Sequence, residues 1–262
     1  MIPRVLTIAG SDPGGGAGMQ ADMKTFTAFR VYGMSAITAV TVQNTLGVLS
    51  VNPVAPRLVA AQADAVLADI GADAVKIGML ASAAIVKAAA GCLRKHGVIK
   101  IVLDPVMSAK SGHALLAATA VKALKNELLP LALIVTPNAP EAARLAGIKV
   151  ENIADARRAA KIIGGFGPRF VLVKGGHLPG KVCRDVLFDG SGFTEFSSHR
   201  IDTRNTHGTG CTLSAAIAAC LALGMEPRAA VEEAGLYLAG AIRRSFKIGG
   251  GHGPLNHFWR RG

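Results

Sequence analysis

A chain of 262 residues with 50% hydrophobic content is long enough to bury a large α/β core. Only 5% of it is aromatic and much of the hydrophobic share is alanine, which suits close-packed helices better than an all-β sandwich. The formal charge of +12 comes from scattered Lys and Arg, never more than two together, so it argues against a nucleic-acid partner and for a field around a small polyanion.

The four cysteines form no C-x-x-C pair, which argues against a disulfide framework or a zinc site and for a reducing compartment. The apolar part of "MIPRVLTIAGSD" is too short for a signal peptide, and no apolar run reaches the roughly 18 residues of a membrane span. The expected location is therefore the cytoplasm, with no membrane partner.

In chain order, the run "VLTIAG" (5–10) predicts a first buried strand, and "SDPGGGAG" (11–18) leads from it into a helix over 17–30. Such a glycine-rich entry to a helix suits an anion or substrate cradle, but it lacks the Gly-Lys-Ser/Thr ending of a Walker A loop. Asp12 lies just past the strand; Asp22 and Lys24, a turn into the helix, would either reach a cleft or solvate the surface. Residues 34–52 read as two β-rich runs around "QNTLG", a strand pair projecting from the main sheet as a partial lid.

Beyond it, strands at "AVKIGM" (74–79), "IVLDPVM" (101–107), "LIVTPN" (133–138) and "FVLVKGG" (170–176) alternate with helices near 55–70, 82–96, 113–128, 139–146 and 154–166. "VCRDVLFDG" and "TEFSSHRI" read as an antiparallel edge, followed by helices at 209–223 and 227–246. Buried strands alternating with helices predict an α/β fold, with a mostly parallel sheet covered on both faces. With no repeat or linker, residues 1–262 read as one domain.

Ligands of open parallel sheets bind beyond the carboxyl ends of the strands. Here those ends carry Asp12, Asp104 in "LDPVM", Asn138 in "TPN" and Lys174 in "VKGG". Each alone has an ordinary reading as a turn residue; several on one edge make a site. "NAPE" (138–141) has the spacing of a helix capping box, and Asn138 with Glu141 is also an oxygen donor set suited to a hydrated Mg²⁺. "HGTGCT" (207–212) places Cys211 after Gly208, Thr209 and Gly210 at the start of an alanine-rich helix. Read alone, that cysteine is filler, metal ligand, redox thiol or catalytic group. His207 and Cys211 share an i, i+4 spacing, but the glycines make a helical metal pair there improbable.

These motifs, with "AGSDPGGGAGMQADMKT" (9–25), "TVQNT" (41–45), "KIGML" (76–80) and "GGHGPLNHF" near the end, resemble the hydroxymethylpyrimidine/phosphomethylpyrimidine kinases of thiamine biosynthesis, in the ribokinase-like superfamily. The resemblance covers nearly the whole chain. It implies ATP and Mg²⁺ as cofactors and a homodimer. It also implies phosphorylation of 4-amino-5-hydroxymethyl-2-methylpyrimidine, then of its monophosphate. Gln43 would read the pyrimidine, and Gly10, Asp22, Met79 and Val106 would complete the substrate pocket. Gly208, Thr209, Gly210 and Cys211 would form the anion hole, and Lys174 would neutralise phosphate charge. Asp104, Asn138 and Glu141 would hold Mg²⁺ near the nucleotide, which Lys174 and Thr209 would also touch.

In this branch Cys stands where most of the superfamily has Asp, which makes Cys211 the candidate base. Its place at a helix N-terminus predicts a lowered pKa and some thiolate at neutral pH. The chain departs from many relatives at Gly235, where they carry Lys, and at Gly14, where Ser is frequent. A pyridoxine/pyridoxal kinase of the same fold is the alternative enzyme, and a non-catalytic vitamin- or nucleotide-binding module the alternative of another class.

Overall fold

The structure is a computed structural model that describes residues 2–108 and 117–260. Its first strand, β1 (Arg4–Ala9), is followed by α1 (Gly18–Ala28), β2 (Tyr32–Ile37) and a hairpin of β3 (Ala39–Gln43) and β4 (Val48–Pro53). Next come α2 (Pro56–Asp69), β5 (Ala74–Ile77), α3 (Ala83–Lys95), β6 (Ile101–Leu103), α4 (Ala118–Ala123) and β7 (Ile134–Val135). The chain continues through α5 (Ala139–Ala146), α6 (Ile153–Gly164), β8 (Phe170–Val173), β9 (Val182–Phe188), β10 (Phe193–His199), α7 (Thr209–Ala222) and α8 (Pro227–Arg243).

Eight strands form one sheet in the order β10-β9-β8-β7-β6-β5-β1-β2, parallel from β8 to β2, with β9 and β10 antiparallel at one edge. One apolar layer joins α2 to α6 to one face; a second joins α1, α7 and α8 to the other. The connections reverse direction around β1: β2 lies on one side of it and β5 on the other. A crevice opens at such a switch point.

The sequence places β5, β6, β7 and β8 on runs that extend past the observed strands, because the last residues of each run leave the ladder as site loops. Helix 139–146 has the predicted bounds. The helix predicted at 113–128 lies partly outside the described residues; within them it is α4, a π turn at Leu124–Leu128 and a 3₁₀ turn at Leu129–Leu131.

One expectation is corrected. The hairpin around "QNTLG" is present, but residues 34–37 at the start of 34–52 are not part of it: they end β2, which runs in parallel register with β1, from Arg4↔Tyr32 to Ala9↔Ile37. A crossover through α1 delivers the chain to that edge, and β2 is only partly buried there. The separate antiparallel pair starts at Ala39, turns through Asn44–Gly47 and returns through β4.

Helix α7 decides where the site sits. Every residue from Thr212 to Leu221 is buried, because the helix lies over β1, β5 and β6 and is flanked by α1 and α8. Alanine at 215, 216, 218 and 219 keeps it slim enough for neighbours on all sides. Its N-terminus thereby lands over the carboxyl ends of the central strands. No helix among the described residues is long and apolar enough to cross a membrane.

Candidate active site

The loop after β1 is organised by Asp12, which is buried. Its carboxylate accepts hydrogen bonds from the backbone N–H of Gly14 (2.9 Å), Gly16 (3.1 Å) and Ala17 (2.8 Å), and His207 Nε2 lies 2.8 Å from it. Burial opposes the charge, but the His207 contact and these N–H groups outweigh it and hold the carboxyl below its usual range. Asp12 therefore shapes the loop. Lys24 donates to the Gly15 carbonyl at 2.7 Å and pins the same loop.

Asp22, expected to touch substrate, is fully buried instead. Its two carboxylate oxygens accept from Lys76 Nζ at 2.9 and 2.8 Å, and the Thr7 hydroxyl donates to it at 2.6 Å. The side chain is closed off from the cleft because α1 packs this position against the sheet. Burial alone would lower the Lys76 pKa; Asp22, with Asp104 adding to it, overcomes that and keeps the ammonium charged. Lys76 is the functional group that the sequence reading passes over. The signal was a lysine inside an apolar strand, "AVKI", which burial on both faces obliges to find a carboxylate.

At the next strand ends, Lys174 Nζ donates to Asp104 Oδ1 at 2.9 Å, with 13% and 2% of the two side chains exposed. Thr136 and Ser214 hydroxyls lie 3.4 Å from the Asp104 oxygens. Burial opposes the Lys174 charge, but Asp104, Glu141 and Cys211 raise its pKa.

Asn138 and Glu141 form a complete capping box: Asn138 Oδ1 accepts from the Glu141 N–H at 2.9 Å, and Glu141 Oε2 accepts from the Asn138 N–H at 2.8 Å. Burial, with Asp104 adding to it, pushes the Glu141 carboxyl up to about 7 against the pull of Lys174. An oxygen-only donor set whose second carboxyl resists ionising beside one lysine is short of positive charge. Its chemistry fits a divalent hard cation.

Helix α7 completes the arrangement. Gly208, its N-cap, has φ of +81°, and a Cβ there would collide with the Gly16 carbonyl, so only glycine allows the two loops to meet. No side chain caps the first turn. A Cβ on Gly210 would lie 3.4 Å from both Asp104 Oδ2 and Lys174 Nζ, so bare backbone at the helix start faces the same small space as the ammonium. Thr209, Gly210 and Cys211 are all half-buried along this rim.

The thiolate expected at Cys211 is corrected. Burial pushes the thiol up to about 11, with Asp22 and Asp104 acting in the same direction; Lys76 and the Gly18 N–H pull the other way and do not prevail. The thiol is neutral at pH 7.

Of the expected pocket residues, Gly10 and Met79 are in contact, since a Cβ on Gly10 would fall on the Met79 side chain. Val106 is half-buried just beyond β6. Gln43, at the end of β3, is half-buried, with its side-chain amide 3.2 Å from His207 Nε2 and 3.4 Å from the Thr41 hydroxyl. Gly235 lies on α8 with open space where a side chain would project.

A switch-point edge carrying the Lys174–Asp104 pair, with the Lys76–Asp22 pair buried beneath it and a glycine-bounded helix N-terminus above, defines a small-molecule phosphotransferase of the ribokinase-like fold. The family model described as phosphomethylpyrimidine kinase matches residues 12–256, and the chain belongs to that family. It is 52% identical to the hydroxymethylpyrimidine/phosphomethylpyrimidine kinase of Rhizobium meliloti over 99% of this chain and 98% of that one. It is 50% identical to the thiamine biosynthesis bifunctional protein of Geobacter sulfurreducens over 97% of this chain, but spans only 52% of that longer protein. Among solved structures, an ADP complex of Bacillus subtilis pyridoxal kinase superimposes with a TM-score of 0.92 at 38% identity, covering 100% of this chain and 99% of that one.

Lys76→Met will leave Asp22 buried without a counter-charge and cost about 3–5 kcal/mol, read from denaturant midpoints. Adding Asp22→Asn will restore most of that loss. Alkylation of Cys211 by iodoacetamide, followed by peptide mass, will rise about tenfold per pH unit from pH 7 to 9 without a plateau. A plateau below pH 9 would mean a thiol of lowered pKa.

Proposed function

We propose that the chain transfers a phosphoryl group from ATP to the hydroxymethyl group of 4-amino-5-hydroxymethyl-2-methylpyrimidine, and a second one to the resulting monophosphate. The observation that carries this reading is the placement of Gly210 and Cys211, at the bare start of α7, against the Asp104–Lys174 pair. Relatives named for both phosphorylations align over almost their full length and add support.

Phosphoryl transfer runs through a loose transition state, so alignment and charge neutralisation supply most of the catalysis. The backbone N–H groups of Gly208 to Cys211 and the roughly half positive charge of the α7 N-terminus would receive the moving group. Lys174, kept charged by Asp104, would neutralise its oxygens. Asp104, Asn138 and Glu141 would hold Mg²⁺ near the nucleotide, partly through water, and that ion would supply further positive charge to the phosphates. Thr209 would also face the nucleotide. Gly10, Met79 and Val106 would line the pyrimidine pocket, with Gln43 reading its edge; Asp22 would act from below, through Lys76.

Cys211 would take the hydroxyl proton late in the reaction. Because its thiol is neutral at pH 7, it works through its thiolate fraction, so turnover follows that fraction upward with pH. We also propose that residues 1–262 act as one domain in the cytoplasm, as a homodimer. The outward apolar side chains of Val40, Val42 and Leu49 on the hairpin, each at least half exposed, support a second copy there.

A second reading, pyridoxal phosphorylation, is favoured by the likeness to the Bacillus subtilis enzyme. Product mass after incubation with ATP, Mg²⁺ and either alcohol will show monophosphate and pyrophosphate from the pyrimidine, at higher efficiency than pyridoxal phosphate from pyridoxal. No phosphorylated pyrimidine would sink the assignment. Cys211→Ala will lower kcat at saturating substrate by about 10²–10⁴ and abolish its rise between pH 7 and 9. Turnover within a few-fold of wild type would leave Cys211 only its backbone N–H.

A further inference from the structure

His207 connects three parts of the site that are remote in sequence. Its Nε2 lies 2.8 Å from Asp12 Oδ2, and the Gln43 side-chain amide lies 3.2 Å from the same nitrogen. The ring rests on the Gly16 backbone. Its own backbone N–H donates to the Gly253 carbonyl at 3.2 Å, within the C-terminal "GGGHGP" stretch.

That stretch also grips the hairpin turn. The His252 N–H donates to the Thr45 carbonyl at 2.9 Å and the Gly251 N–H to the Thr45 hydroxyl at 3.3 Å. A Cβ on Gly251 would collide with the Thr45 carbonyl, so the two backbones can be this close only with glycine there. The same strap is anchored below by His257, whose Nε2 is 3.0 Å from the Thr212 hydroxyl of α7. The C-terminal segment therefore buckles the hairpin to the loop that starts α7, and His207 sits under the buckle.

Hydrogen-bond chemistry fixes which way the Gln43 amide faces. Asp12 is a carboxylate and can only accept, so the His207 Nε2 at 2.8 Å from it carries the hydrogen. A nitrogen that donates cannot also receive the Gln43 NH₂. The group facing His207 is thus the Gln43 carbonyl, sharing the Nε2–H with Asp12. On the other side, the Thr41 hydroxyl spends its hydrogen on the Ser11 carbonyl at 2.8 Å and has a lone pair left for the Gln43 NH₂. Gln43 then retains one N–H and one carbonyl lone pair. These match a ring nitrogen beside an exocyclic amino group.

We propose that His207, held between Asp12 and the C-terminal strap, is a positioning residue for substrate choice. It fixes the Gln43 amide in the one orientation that presents a donor–acceptor pair to an aminopyrimidine edge. The proposal rests on the reading of Gln43 given under Proposed function. The phosphoryl hole, built from Gly208 onward, does not depend on it.

The test is steady-state kinetics with both alcohols on wild type, His207→Leu, His207→Gln, Gln43→Ala and the double variant Gln43→Ala/His207→Leu. His207→Leu is expected to raise KM for the pyrimidine alcohol at least tenfold. Its kcat, its KM for ATP and its KM for pyridoxal should stay within threefold of wild type. His207→Gln, whose NH₂ can donate to both Asp12 and the Gln43 carbonyl, is expected to stay within threefold throughout. In the Gln43→Ala background, His207→Leu should add nothing to the pyrimidine KM.

A fall in kcat with unchanged pyrimidine KM would overturn the proposal, as would additive effects in the double variant. If leucine abolishes cooperative melting, His207→Asn, whose amide is too short to reach both partners, takes its place under the same criteria. Should wild type itself fail to saturate with the pyrimidine alcohol, the substrate reading is what fails, and that is measured first.

Discussion

Two ammonium groups buried at the carboxyl edge of one parallel sheet are the constraint on which the site depends. Lys76 and Lys174 stay charged away from water because each has a carboxylate within 2.9 Å: Asp22 reaches one from α1, and Asp104 the other from the end of β6. Burying such pairs does little for stability by itself, since the desolvation of both charges offsets their attraction. What the pairs provide is two ammonium groups held in fixed positions near the start of α7, each neutralised by its carboxylate. The helix dipole contributes partial positive charge at the same place.

The same desolvation that strengthens these charges works against the thiol. Cys211 sits in the shared field of Lys76, Asp22 and Asp104, and burial raises its pKa against the pull of Lys76 and the Gly18 N–H. The local carboxylates and the loss of water decide. A carboxylate at that position would meet the same opposition from Asp22 and Asp104, whereas a neutral thiol adds no further negative charge until a proton is moved.

Recognition and chemistry are held to a common frame by segments distant in the chain. Asp12 gathers three N–H groups of the glycine-rich loop and also faces His207, which directly precedes the N-cap of α7. Gly208 closes on Gly16, and the C-terminal strap closes on Thr45. Each closure brings backbone against backbone, with little slack between the loops.

Much of this was legible in the sequence. Short Val- and Ile-rich runs between helices fixed the layered fold, because a strand buried on both faces needs an apolar residue at nearly every position. The polar residues ending those runs were read as one edge, and Asp104, Lys174 and the helix start in "HGTGCT" do lie together. Spacing alone also gave the capping box of Asn138 and Glu141.

Partnership was not legible. Asp22 looked like a cleft residue until α1 packed it onto Lys76, 54 positions away. The Cys211 thiol looked acidic until the buried carboxylates around it were known. His207 looked like a failed metal ligand until folding brought Asp12 and Gln43 to one nitrogen. Sequence determines which groups can be charged, capped or bent. Only tertiary structure sets which groups lose water together, and that loss fixes which charges survive.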